Sequence, residues 1–185
     1  MNKKKLSIQD MCMIGFFTAV ICVLGQISIP MPYGVPMTLQ TLAIPLAGVV
    51  LGAKRGTIST LVYIIIGALG LPVFAGFASG IGVILGPTGG FLLSFPVLAW
   101  FSGLGADKGK AIWLVAGLVI GVIINYICGM LMFSLVTSQG MAAAFFACVF
   151  PFIPTGIVKI ILVATLGTKI KSILIKGRLL RATAR

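Results

Sequence analysis

Residues 111–158 read AIWLVAGLVIGVIINYICGMLMFSLVTSQGMAAAFFACVFPFIPTGIV, 48 positions without a charged side chain, and the charge that ends the run is Lys159. A helix needs about 20 apolar residues to cross the hydrocarbon core of a bilayer. The run therefore holds two spans. Two more charge-free runs, 11–53 and 56–106, are each 43 residues or longer and hold two spans apiece. They are continuous blocks of Val, Ile, Leu, Phe, Gly and Ala without the polar–apolar alternation of a membrane barrel, so the spans are helices. The expected fold is an all-α integral membrane protein, one domain over residues 1–185 with six transmembrane helices.

Composition agrees with this reading. Of the 185 residues, 59% are hydrophobic and 9% charged, against about 25% charged in a soluble domain. Lys3, Lys4 and Lys5 precede an apolar segment that continues without a small-residue cleavage pattern, so it is read as a retained first helix and not a signal peptide. The spans are predicted at 7–29, 38–52, 56–74, 90–104, 111–137 and 152–175. The second and fourth are short for a full crossing, as in bundles whose loops dip back into the protein.

The net charge of +12 does not indicate a nucleic-acid partner, because the basic residues punctuate spans instead of forming one face. Lys3–Lys5, Lys54 with Arg55, Lys108 with Lys110, and the tail from Lys169 to Arg185 fall on alternate sides of successive spans. These 13 residues thus share one side, which the positive-inside rule makes the cytoplasm, facing anionic membrane lipid. Both termini are expected there. Ser7-Ile-Gln-Asp10 has the capping-box pattern, so Asp10 is read as a helix cap, and Asp107 as a solvated loop residue. Histidine is absent, and Cys12, Cys22, Cys128 and Cys148 form no Cys-x-x-Cys pair, so neither a metal site nor a disulfide framework is indicated. No cofactor motif is present.

The two long outer connections are uncharged. The first, around Pro30–Met37, holds three prolines and a glycine in eight residues and cannot be helical. The second, 70–90, is apolar and interrupted by glycines at 76, 80, 82, 86, 89 and 90. One reading makes them packing elements; the other makes them lids folded back over an outward-facing pocket.

Lys159 lies one to two turns inside the sixth span, which starts near Pro151 and Pro154. A cation at that depth costs roughly 2.5–3.5 kcal/mol and marks a functional site when it faces the protein interior. Two alternatives stand beside this: Lys159 reaches the outer headgroups, or it is neutral and bonded to a carbonyl. Both carboxylates, Asp10 and Asp107, fall on the basic side. A ligand carboxylate is then a candidate counter-ion, with Gln40, Asn125, Thr38, Thr88, Tyr63 and Tyr126 as candidate polar contacts. The chain has no Walker motif for ATP and no intramembrane carboxylate or histidine for ion coupling. It is either a stand-alone facilitator or carrier for a small organic anion, or the binding subunit of a complex whose motor is elsewhere. An enzyme is not expected. Gly15 and Ala19 form a small-xxx-small pair on the first helix, suited to close packing with a partner helix.

Four stretches in order, Val35-Pro-Met-Thr-Leu-Gln-Thr-Leu42, Gly70-Leu-Pro-Val-Phe-Ala75, Gly86-Pro-Thr-Gly-Gly90 and Pro151-Phe-Ile-Pro-Thr-Gly-Ile-Val-Lys159, together resemble the BioY family. These are biotin-binding S components of energy-coupling-factor (ECF) transporters. The resemblance covers nearly the whole chain. It implies a six-helix S component of a bacterial cell membrane that binds biotin at the outer side under the two loops, with a T subunit and two cytoplasmic ATPases as partners. The expected binding set is Lys159, Gln40, Thr38, Phe74, Gly86, Thr88, Asn125 and Tyr126, and Gly15 and Ala19 approximately match the position at which, by the resemblance, an S component meets the T subunit. The family commonly carries an aspartate three residues before the lysine; here that position is Gly156. Whether Lys159 meets the carboxylate or the ureido carbonyl of biotin stays open.

Overall fold

The computed structural model describes residues 6–31 and 34–180. Lys3–Lys5, Pro32, Tyr33, Arg181 and Arg185 lie outside the described residues. Six principal helices form the bundle: α1 (Ile8–Gly25), α2 (Gln40–Leu51), α3 (Ala53–Ala68), α5 (Gly89–Asp107), α6 (Ala111–Thr137) and α8 (Ile153–Lys176). Two short helices, α4 (Ile81–Ile84) and α7 (Met141–Cys148), occupy the connections before α5 and α8. Segments Ile8–Gly25, Gly89–Asp107, Ala111–Thr137 and Met141–Lys176 are each long and apolar enough to cross a membrane. The chain is an all-α membrane protein.

Helix α2 is the axis of the bundle. It has 12 residues, nine of them buried, and at 1.5 Å per residue it spans only about 18 Å. It packs against α1, α3, α5 and α8. A helix covered on every side can be apolar all round, and Ala43, Ile44, Ala47, Val50 and Leu51 join Phe17, Ile21, Tyr63, Phe95 and Leu98 in the main core. On the other flank, Val49 meets Leu114, Leu118 and Val163. Large side chains such as Phe16, Val23, Ile123 and Ile161 are exposed, as expected of a surface solvated by lipid.

Several boundaries differ from the sequence expectation. The first helix stops at Gly25, and Ser28–Ile29 (β1) pairs antiparallel with Met37–Thr38 (β2), so the proline-rich connection is the tip of a small hairpin. The third helix ends at Ala68 and not at 74, because Gly70 takes φ 106° and Pro72 follows. The fourth helix is not short: α5 runs 19 residues to Asp107, continuing through Pro96, and the chain turns only at Gly109, φ 70°. The short neighbour of α2 is instead α3, and the two join through Gly52 alone at φ 84°.

Asp107 is not a solvated loop residue. It closes α5, pairs with Lys171 of α8 at 3.0 Å and accepts the Ala53 N–H that opens α3 at 3.2 Å. Its charge also suits the positive end of that helix. Asp10 makes both bonds of the capping box with Ser7 and also pairs with Arg55 at 3.1 Å. The two carboxylates thus tie four helices together at the basic end. Asp107→Ala is expected to lower stability by about 1–2 kcal/mol. Asp107→Asn should lose about half of that, since it keeps an acceptor for Ala53. Thermal melts of the purified variants check both.

Candidate functional site

A cavity of about 270 Å³ lies at the hairpin end of the bundle. Its position follows from the short α2: where that helix begins, at Gln40, the surrounding longer helices continue and leave a hollow. The hairpin tip contributes Gly34, Val35 and Pro36, and the 70–90 segment contributes Phe74, Ala75, Ala78, Val83 and Thr88. Both connections therefore fold back over the hollow. Phe91 and Phe95 of α5, Tyr126 of α6 and Phe152 before α8 supply further aromatic wall.

Thr38, Gln40, Thr41, Thr155 and Lys159 also line the cavity. Lys159 does not extend to the lipid headgroups. Its Nζ crosses from α8 to α2, donating to the Thr38 carbonyl at 2.7 Å and to Thr41 Oγ1 at 2.8 Å. Those two bonds hold the ammonium against the beginning of α2. A tetrahedral ammonium has three N–H groups, so one more donor remains for another acceptor.

Gln40 is buried and fixed from both sides. Its Oε1 accepts from Thr38 Oγ1 at 3.1 Å, and its Nε2 donates to Tyr63 Oη at 2.6 Å. Tyr63 in turn donates to the Val73 carbonyl at 3.3 Å, next to Phe74. This chain of bonds couples the hairpin, α2, α3 and the second connection. The Tyr63 and Phe74 rings meet edge to face at 5.6 Å, and Phe74 is 1% exposed. That burial is possible because Gly67 has no side chain: a Cβ there would run into the Phe74 ring.

Of the residues singled out in the sequence, Lys159, Gln40, Thr38, Phe74, Thr88 and Tyr126 come together around this cavity. Tyr63 stands behind Gln40. Asn125 is not on the main wall; its amide donates to the Phe91 carbonyl at 3.0 Å and Ser94 Oγ at 2.8 Å, and it borders a smaller chamber that also touches Lys159. Gly86 is in the turn between α4 and α5, its N–H donating to Val83, outside the cavity lining. Gly15 and Ala19 are exposed on α1, away from the cavity. Thr41, Thr155, Val35, Phe91, Phe95 and Phe152 are additional wall residues. Helical spacing could have revealed some of them: Thr155 precedes Lys159 by four residues and Phe91 precedes Phe95 by four, so each pair shares a helix face.

The arrangement is a partly open amphipathic pocket inside a membrane bundle, aromatic along its walls and polar where the cation sits. Its shape and lining suit a small molecule with an apolar body and a hydrogen-bond-accepting end.

The chain belongs to the BioY family: residues 1–176 match the model of that family. Relatives include the probable biotin transporter BioY of Pyrococcus horikoshii, 42% identical over 82% of this chain and 89% of that protein. Another is the biotin transporter BioY of Rhodobacter capsulatus, 38% identical over 83% of this chain and 88% of its own length. Among solved structures, the S-component for biotin from an ECF-type ABC transporter superposes with a TM-score of 0.82 at 27% identity, covering 93% of this chain and 94% of that one.

Gly67→Ala is expected to destabilise the fold by about 1–3 kcal/mol, the usual range for overpacking, and to dislodge Phe74 from the cavity wall. A melt of the variant beside Phe74→Leu, which leaves room for the new methyl, checks the cause: the double variant should recover part of the loss.

Proposed function

We propose that this protein is the biotin-binding S component of an ECF-type importer, and that the cavity between the hairpin and α8 is its substrate site. The observation that carries the reading is Lys159: a cation held at the rim of α2 by two hydrogen bonds, with a third donor available in an otherwise largely aromatic pocket. Biotin matches this pocket in chemistry, with an apolar thiolane ring and tail between a ureido carbonyl at one end and a carboxylate at the other. Aromatic walls from Phe74, Phe91, Phe95 and Tyr126 would take the apolar body, and Thr38, Gln40, Thr41, Thr155 and Lys159 the polar end. Thr88 would close the mouth with the hairpin tip.

The remaining assignments follow from the same reading. Placing the 13 basic residues in the cytoplasm puts both termini inside and the cavity at the outer face of the cell membrane. The whole chain acts as one membrane domain. It captures biotin, and an ECF T subunit with cytoplasmic ATPases provides the work of import. The exposed Gly15 and Ala19 on α1 offer the T subunit a surface that another helix can approach closely.

Equilibrium titration of the detergent-purified chain with biotin tests the site. Wild type should bind tightly. Lys159→Ala should weaken binding by about 1.5–3 kcal/mol, ten- to a hundredfold, the range for hydrogen bonds to a charged group. Unchanged affinity in Lys159→Ala would remove the residue from the site. Co-expression with the T subunit and ATPases should yield a complex that accumulates biotin in vesicles, whereas accumulation by this chain alone would exclude the subunit reading.

A further inference from the structure

Behind the main cavity lies a second, much smaller one of about 10 Å³, bordered by Thr41 and Pro45 of α2, Asn125 and Tyr126 of α6, and Gly156 and Lys159 of α8. Three features set it apart from a packing defect. Its size is that of one water molecule. Pro45 has no N–H to give the carbonyl of Thr41 four residues earlier, so the ordinary helical donor for that carbonyl is missing at membrane depth. Both N–H groups of the Asn125 amide are used, on Phe91 and Ser94, which leaves its Oδ1 as an acceptor with no donor among the described residues.

Gly156 is what allows this space. It is the fourth residue of α8, inside a helix where glycine is among the least favourable choices. A Cβ at that position would sit 2.8 Å from Tyr126 Oη. Without it, the Tyr126 hydroxyl lies against α8 and donates to the Phe152 carbonyl at 3.2 Å, and the chamber beside it stays open.

We infer that this chamber is a binding site for one ordered water, and that Gly156 is a positioning residue that keeps it open. The water donates to Asn125 Oδ1 and to the Thr41 carbonyl. The Thr41 hydroxyl hydrogen is directed to the Thr38 carbonyl at 3.4 Å, which leaves an Oγ1 lone pair for Lys159 Nζ. The cation is thereby seated on Thr41, whose backbone carbonyl the water ties to Asn125. The seating of Lys159 rests on the biotin reading for its functional consequence; the water site itself does not.

Crystals of the full chain without biotin, for wild type and Gly156→Ala, test the site at a resolution where ordered waters are visible. Wild type should show a density peak within hydrogen-bond distance of Asn125 Oδ1 and Thr41, and the variant should lack it, with the Tyr126 ring displaced. In biotin titrations Gly156→Ala should bind about tenfold more weakly, the scale of one hydrogen bond. The gain in helix propensity from alanine should offset only part of the cost of moving Tyr126 off the Phe152 carbonyl. A wild-type chamber without density would overturn the water site whatever the ligand. Density together with unchanged affinity in the variant would overturn the positioning role. Failure of the wild type to bind biotin would instead count against the biotin reading, with the density still deciding the chamber.

Discussion

The bond from Lys159 Nζ to the Thr38 carbonyl joins two parts of the molecule 121 positions apart in sequence, the hairpin before α2 and the helix that ends the bundle. A cation half-buried in a membrane bundle must be compensated, and here a backbone carbonyl and a threonine hydroxyl partly do so. Thr38 ends β2, so the lysine also fixes where the hairpin closes over the hollow. The cavity follows from this tie. Its polar end is where α8 reaches α2, and its aromatic walls are what the neighbouring longer helices present above the beginning of the short one.

Around that tie, the structure uses hydrogen bonds sparingly and packing heavily. Thr38, Gln40 and Tyr63 form a continuous network that ends on the backbone next to Phe74, so one side of the pocket is rigid without ionic groups. At the opposite end of the bundle, Asp10 and Asp107 pair with Arg55 and Lys171. The two ends therefore differ in kind: ion pairs fasten the basic end, and neutral polar groups with one cation shape the binding end. A pocket built in this way can accept a ligand acceptor without first breaking a carboxylate–ammonium pair.

The helices were legible in the sequence because charge is a coarse but reliable marker in a membrane chain. The span at 111–137 coincides with α6, bounded by the polar turn before Ala111 and by Ser138, which takes φ 56°. Boundaries without such punctuation were not legible. Ser28–Ile29 continues an apolar helix in composition, and only its pairing with Met37–Thr38 makes it a strand; α7 carries no side-chain cap to announce it. Lys159 stood out as the one charge in an apolar stretch, whereas the aromatic wall did not. The chain has 12 phenylalanines, and nothing in composition separates Phe91 and Phe95, turned inward, from Phe16 and Phe146, exposed to lipid. Thr41 escaped notice for a similar reason: its importance arises from a lysine 118 positions away.

If Lys159 is the hydrogen-bond donor that orients the ligand, a crystal structure of the biotin complex should show biotin in the cavity with an acceptor oxygen within about 3 Å of Lys159 Nζ, while the bonds of Nζ to Thr38 and Thr41 persist or shorten. Biotin bound elsewhere, or bound in the cavity with Lys159 contacting only Thr38 and Thr41, would remove the lysine from that role.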